Sequence, residues 1–96
     1  MALVKTTAGV ETATLTSTGN AVGSAARLYS IYAVCAGSAG SIVLKNGSGG
    51  STLATIATPG SATATINIDF TDDGLDFPSA LHATLTSVTS VLFVYG

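Results

Sequence analysis

Residues 62–70 read Ala-Thr-Ala-Thr-Ile-Asn-Ile-Asp-Phe, and this alternation decides the fold class. Ala62, Ala64, Ile66, Ile68 and Phe70 share one parity, whereas Thr63, Thr65, Asn67 and Asp69 share the other. A helix would scatter both sets around its circumference. A strand, whose side chains repeat every second residue, lays the apolar set on a core and the polar set in water.

Runs of the same kind lie on either side. Residues 10–16, 28–36, 41–45, 52–58, 75–77, 81–86 and 91–95 are rich in Thr and in β-branched or aromatic side chains, and Gly, Pro, Asn or Asp bound them. With 62–70 they predict an all-β, single-domain antiparallel β-sandwich spanning residues 1–96, jelly-roll-like with about eight strands. Seven strands in an immunoglobulin-like order fit equally well, because a pattern gives faces and not neighbours. Asn46-Gly47-Ser48-Gly49-Gly50-Ser51 reads as a hairpin connection whose glycines supply positive φ. It lacks the Lys-Ser/Thr of a phosphate loop and the spacing of a dinucleotide fingerprint. Thr58-Pro59-Gly60 and Asp72-Asp73-Gly74 read as turns, with Gly74 in the left-handed position. Residues 19–26 predict a loop or a single helical turn across one end of the sandwich, and residues 1–26 a partly extended N-terminal arm.

The composition narrows the function. Ala, Thr, Ser and Gly make up more than half of the 96 residues and there is no Trp, so the core is modest and burial against a partner would add to its stability. Charged residues are 8% of the chain against ~25% in an ordinary domain, which leaves a surface of hydroxyls, methyls and backbone. Lys5, Arg27 and Lys45 are far apart and the net charge is −2, so no stripe tracks phosphates and nucleic acid is not an expected partner. Residues 28–44 are interrupted by Ser and Gly, and residues 77–96 contain Pro78, His82 and several hydroxyls, so neither is a membrane helix. Residues 1–10 have no basic segment leading into an apolar run of signal-peptide length, which predicts synthesis and folding in a cytoplasm.

No constellation points to catalysis or to a cofactor. His82 is the single histidine, so there is no His pair for a metal, and its parity, opposite to Leu81, Ala83 and Leu85, predicts an exposed outer face. Cys35 is the single cysteine, which excludes an internal disulfide and predicts a small buried hydrophobe. Asp69, Asp72, Asp73 and Asp76 crowd one short stretch but lack the spacing of an EF-hand loop, and they read as an Asp-rich turn in which carboxylates accept local backbone hydrogen bonds. Facing carboxylates across a sugar cleft are not to be expected from one such turn. Catalytic, cofactor and metal residues are therefore all expected to be absent.

Two strands carry large apolar side chains on both parities. In residues 28–35, Leu28, Tyr32 and Val34 oppose Tyr29, Ile31 and Cys35, as in a central strand covered on both faces by its own fold or by a neighbouring subunit. In residues 91–95, Val91, Phe93 and Tyr95 oppose Leu92 and Val94, although a sandwich offers each strand only one inner face. Tyr29, Tyr32, Leu92 and Val94 are the expected interface residues.

The series Arg27-Leu28-Tyr29-Ser30-Ile31-Tyr32, residues 40–47, Asp73-Gly74-Leu75-Asp76-Phe77-Pro78, residues 81–86 and the closing Val91-Leu92-Phe93-Val94-Tyr95-Gly96 resembles small virion proteins of tailed bacteriophages, particularly those of marine bacteria. The likeness covers residues 27–96. It implies a β-sandwich on the capsid surface that decorates or cements the head, a homo-oligomer such as a trimer, bound to the phage major capsid protein and made in the host bacterial cytoplasm. The alternatives are a tail or fibre accessory protein and, from a different class, a small adhesion or carbohydrate-binding module with calcium at the Asp72 turn.

The acidic turn gives a first test. Asp72→Asn combined with Asp73→Asn is expected to leave folding and assembly unchanged, and a chelator to shift Tm by less than about 10 °C, since no ion binding contributes to the folded state. A larger shift in a thermal melt would make the turn a calcium site.

Overall fold

The computed structural model describes residues 10–61, 64–70 and 74–96. Ala62 and Thr63, which open the alternating run, and Asp72 and Asp73 of the acidic turn lie outside the described residues. Nine strands form among those described: β1 (Glu11–Leu15), β2 (Gly19–Val22), β3 (Ala26–Cys35), β4 (Gly40–Asn46), β5 (Thr52–Thr58), β6 (Thr65–Asp69), β7 (Leu75–Phe77), β8 (Leu81–Thr86) and β9 (Val88–Tyr95). The expected count of about eight becomes nine because residues 19–26 are neither simple loop nor helical turn. Gly19–Val22 pairs antiparallel with β8, with Asn20 opposite His82 and a register shift before Val22. Residues 1–26 are likewise not an arm throughout, since from Glu11 onward they supply one strand to each sheet.

All pairings are antiparallel. One sheet runs β1-β9-β3-β6, with β7 continuing beside β3, and the other runs β2-β8-β4-β5. Read across the sandwich, β1 and β2, β9 and β8, β3 and β4, and β6 and β5 hold matching places in the two orders. The connections β1–β2, β3–β4, β5–β6 and β8–β9 each join matched places in the two sheets while β4–β5 is a hairpin within the second, and this winding is a jelly roll. The tightest passage is from β8 to β9 through Ser87 alone, which adopts the left-handed φ of 53°. Two turns use glycine as expected, with φ of 86° at Gly47 and 71° at Gly74.

The core lies between the sheets. Leu28, Ile31, Phe77, Val91 and Phe93 from the first sheet and Ile42, Leu44 and Leu81 from the second are fully buried. Ala33 and Ala83 stand among them as small neighbours of Ile66, Val91 and Leu44 in the ladders, so large side chains of the facing sheet have room to interdigitate. Thr58 is the buried hydroxyl of this layer, and its Oγ1 accepts the Gly40 N–H at 3.1 Å. At one end, Asn46 Oδ1 accepts the backbone N–H of Ser79 at 2.7 Å, while the Gly47 N–H donates to the Ala80 carbonyl at 3.0 Å, which ties the β4–β5 hairpin to the turn before β8.

In the described part of the deciding run, Ala64, Ile66, Ile68 and Phe70 turn inward and Thr65, Asn67 and Asp69 are exposed. The double apolar parity of residues 28–35 arises in part from a bulge. A register shift between Leu28 and Ser30 marks a bulge, which changes the inward parity from Ala26 and Leu28 to Ile31, Ala33 and Cys35. Side chains of both parities therefore reach one core, and the strand is central without being covered on both faces by its own fold.

Ile31 and Ile68 stand opposite each other in the ladder, the first 1% exposed and the second only partly buried against the core. Ile31→Ala is expected to cost about 2–5 kcal/mol and Ile68→Ala an amount toward the lower end, because its site can partly refill with water. Urea denaturation measures both, and a loss below about 0.5 kcal/mol at Ile31 would contradict the packing.

Candidate functional site

The outward side chains of the first sheet assemble into one face, which the ladder registers define row by row. Thr14, Leu92, Tyr32 and Asn67 stand side by side on β1, β9, β3 and β6. Thr12, Val94, Ser30 and Asp69 form the next row. Ser90, Val34 and Thr65 form a third. Tyr32 is 45% and Leu92 36% exposed, and Val34 and Val94, in the rows on either side, are half-buried. The centre of the face is thus aromatic and aliphatic, flanked by hydroxyls and one amide, with Asp69 the sole charge in these rows.

The sandwich geometry dictates this exposure. Val91 and Phe93 fill the core at 0% exposure, so the alternation of β9 turns Leu92 and Val94 away from it. Tyr32 and Val34 follow because the bulge fixes Ile31, Ala33 and Cys35 inward. Of the expected interface residues, Tyr32, Leu92 and Val94 come together. Tyr29 does not join their rows: it stands at the bulge, half-buried, with its ring beside Gly74 and its carbonyl accepting the Phe70 N–H at 2.9 Å. Val34 and the flanking Thr12, Thr14, Thr65 and Asn67 were not among the expected site residues. Outward parity marks each of them in its own strand, but only strand order makes them neighbours.

The second sheet presents a different outer surface. His82, expected to be exposed there, is buried at 7% exposure. It does point away from the core, but β8 is central in its sheet, and Asn20 on β2 and Lys45 on β4 stand directly beside it. Its Nδ1 lies 3.0 Å from Asn20 Oδ1, an arrangement that suits the neutral tautomer carrying its proton on Nδ1. Burial, and then the positive charge of Lys45, hold the imidazole below its ordinary pKa. Cys35 is fully buried. Arg27 faces Asp76 across β3 and β7, with Nη2 3.7 Å from Oδ1 at the exposed rim, while Asp69 is exposed at the edge of the apolar face. Among the described residues no group of His, Cys, Asp and Glu side chains is gathered as for a metal ion, and no cavity forms.

Comparisons with protein-family models, with curated proteins and with solved structures find no match to this chain.

The depressed pKa of His82 sets a pH dependence. The unfolded chain takes up a proton near 6.5 and the folded chain only at lower pH, so between these values the unfolded state holds more protons. Stability is fully present above that range and falls as pH is lowered through it. Tm is expected to drop between about pH 7.5 and 5.5, and His82→Gln to flatten that slope. Thermal melts across this range check it; an unchanged slope in the variant would assign the titration to another group.

Proposed function

We propose that this chain is a structural protein that works by binding, and that its partner is the outer surface of a bacteriophage head built from the major capsid protein. The observation that carries the proposal is the neutral outer face of the first sheet, centred on Tyr32, Val34, Leu92 and Val94. A patch of this kind on a chain with so little charge suits close contact with another protein surface. It offers no ion-pair pattern for steering a charged ligand.

The mechanism is mass action on a lattice. Each copy removes neutral surface of its own and of the shell subunits from water, so separating the subunits must also strip the bound copy. A contact of standard size, about 1,600 Å² in total, is sufficient without charge pairs when hydrophobic anchors lie at its centre. The jelly roll is a frequent scaffold of viral shells, which is an analogy of fold, and the resemblance of residues 27–96 to phage virion proteins points the same way. Both favour the reading that a homo-oligomer cements the head, in a particle assembled in the host bacterial cytoplasm.

Leu92→Asp combined with Val94→Asp is expected to leave a folded protein, by circular dichroism, that no longer cosediments with heads lacking their own decoration. Binding by the parent is expected to change less than about tenfold between 0.05 and 0.5 M salt, because the neutral face brings no ion pair to the contact for salt to screen. A variant that binds normally removes this face from the contact, and one that unfolds puts these side chains in the core. Binding by the parent that collapses in salt would make the contact electrostatic.

A further inference from the structure

The two sheets have open edges at β1, β2, β5 and the β6–β7 line. Three of them carry the features that keep edges from pairing with other chains. β1 contains Glu11; β2 is only 4 residues long and has a register shift; β6 and β7 are short and carry Asp69 and Asp76. β5 differs. It has 7 residues, Thr-Leu-Ala-Thr-Ile-Ala-Thr, with no charge and no proline, and its pairing with β4 is regular from Ala54 to Thr58. Among the described residues no strand lies on its other side. In an antiparallel ladder alternate residues turn N–H and C=O to opposite neighbours, so part of the β5 backbone is directed outward from the sheet.

The order of residues in β5 has a second property. Reversed about Thr55, the strand matches itself by class: Thr52 falls opposite Thr58, Leu53 opposite Ala57, Ala54 opposite Ile56, and Thr55 opposite itself. Ala54 and Ile56 are half-buried at the rim of the core, while Leu53, Thr55 and Ala57 are exposed, Leu53 at 38%. We infer that β5 pairs antiparallel with β5 of a second copy about a two-fold axis through Thr55, joining two four-stranded sheets into one continuous sheet. The pairing satisfies the outward backbone groups, continues the inner face through Ala54 and Ile56, and covers Leu53 with Ala57 of the other copy. A two-fold contact requires one patch to complement itself, and β5 combines such a sequence with an edge free of charge. It stands independently of the head-binding proposal and uses a different sheet.

Sedimentation velocity of the purified chain tests it. The parent is expected to pass from monomer to dimer over about 1–500 µM, the range for a contact made mainly by one strand pair, and amide exchange at residues 53–57 to slow as the dimer forms. Thr55→Lys sets two ammonium groups opposite each other at the axis and is expected to weaken the dimer at least about tenfold. Leu53→Lys and Ala57→Glu are each expected to weaken it, and the double variant to restore it, because each introduced ammonium then faces the introduced carboxylate of the other copy. If Thr55→Lys does not fold, the comparison of single and double variants decides. A parent that stays monomeric, a dimer indifferent to Thr55→Lys in a folded variant, or a double variant no better than the singles would overturn the inference. Leu92→Asp with Val94→Asp leaves this dimer intact, so failure of the edge contact and failure of head binding are separately visible.

Discussion

From Leu28 to Cys35, β3 is paired along one side with β9, and along the other it holds β6 and β7 end to end. The ladders set Ile31 between Phe93 and Ile68, and Ala33 between Val91 and Ile66, so the inner face of three strands is aligned by one. Everything else depends on that alignment. Among the described residues β1 pairs with β9 alone, and the second sheet closes onto the Leu28, Ile31 and Phe93 layer. The bulge beside Leu28 is part of the same constraint, because it lets a ten-residue strand keep an inward face at both ends while the sheet twists.

Charge contributes little to holding this fold. Arg27 and Asp76 meet at an exposed rim, where an ion pair adds at most a small amount to stability, and the Lys45 ammonium donates to the Ser48 carbonyl at 3.1 Å in its own hairpin. Burial, with the charge of Lys45, holds His82 below its ordinary pKa. What remains is apolar burial and backbone pairing, in a chain with few large side chains. The surface that results is unusually rich in Thr, Ser and Ala, and its largest apolar exposures in the two sheets are at Tyr32, Leu53 and Leu92. Two of these lie on the neutral face and one on the β5 edge.

Much of this architecture was legible in the sequence, because alternation reports which face a side chain takes. β5, β7 and β8 begin and end where their composition predicts, and Leu92 and Val94 fall outside for the reason parity gives. What parity cannot report is adjacency. Gly19–Val22 is short and poor in β-formers, and it becomes a strand only because Leu81, His82 and Ala83 arrive from far along the chain to pair with it. His82 departs from its expected exposure for the same cause: its parity is outward, but Asn20 and Lys45 stand beside it through strand order. In β3 the bulge imitates a strand covered on both sides, since one inserted residue exchanges the parities midway. The apolar face itself is a row structure across β1, β9, β3 and β6, so its flanking hydroxyls belong to no single stretch of sequence.

The winding of the jelly roll also fixes when the domain can form. β9 lies between β1 and β3, so the first sheet has a gap at its centre until residues 88–95 have left the ribosome. β8 has the same place in the second sheet, between β2 and β4. Earlier in synthesis the β4–β5 hairpin is the piece of ladder that neighbouring segments can close, and every other strand waits for a partner from far along the chain. Until then the nascent domain has open edges, and with charged residues only 8% of the chain little repels a neighbouring chain from them.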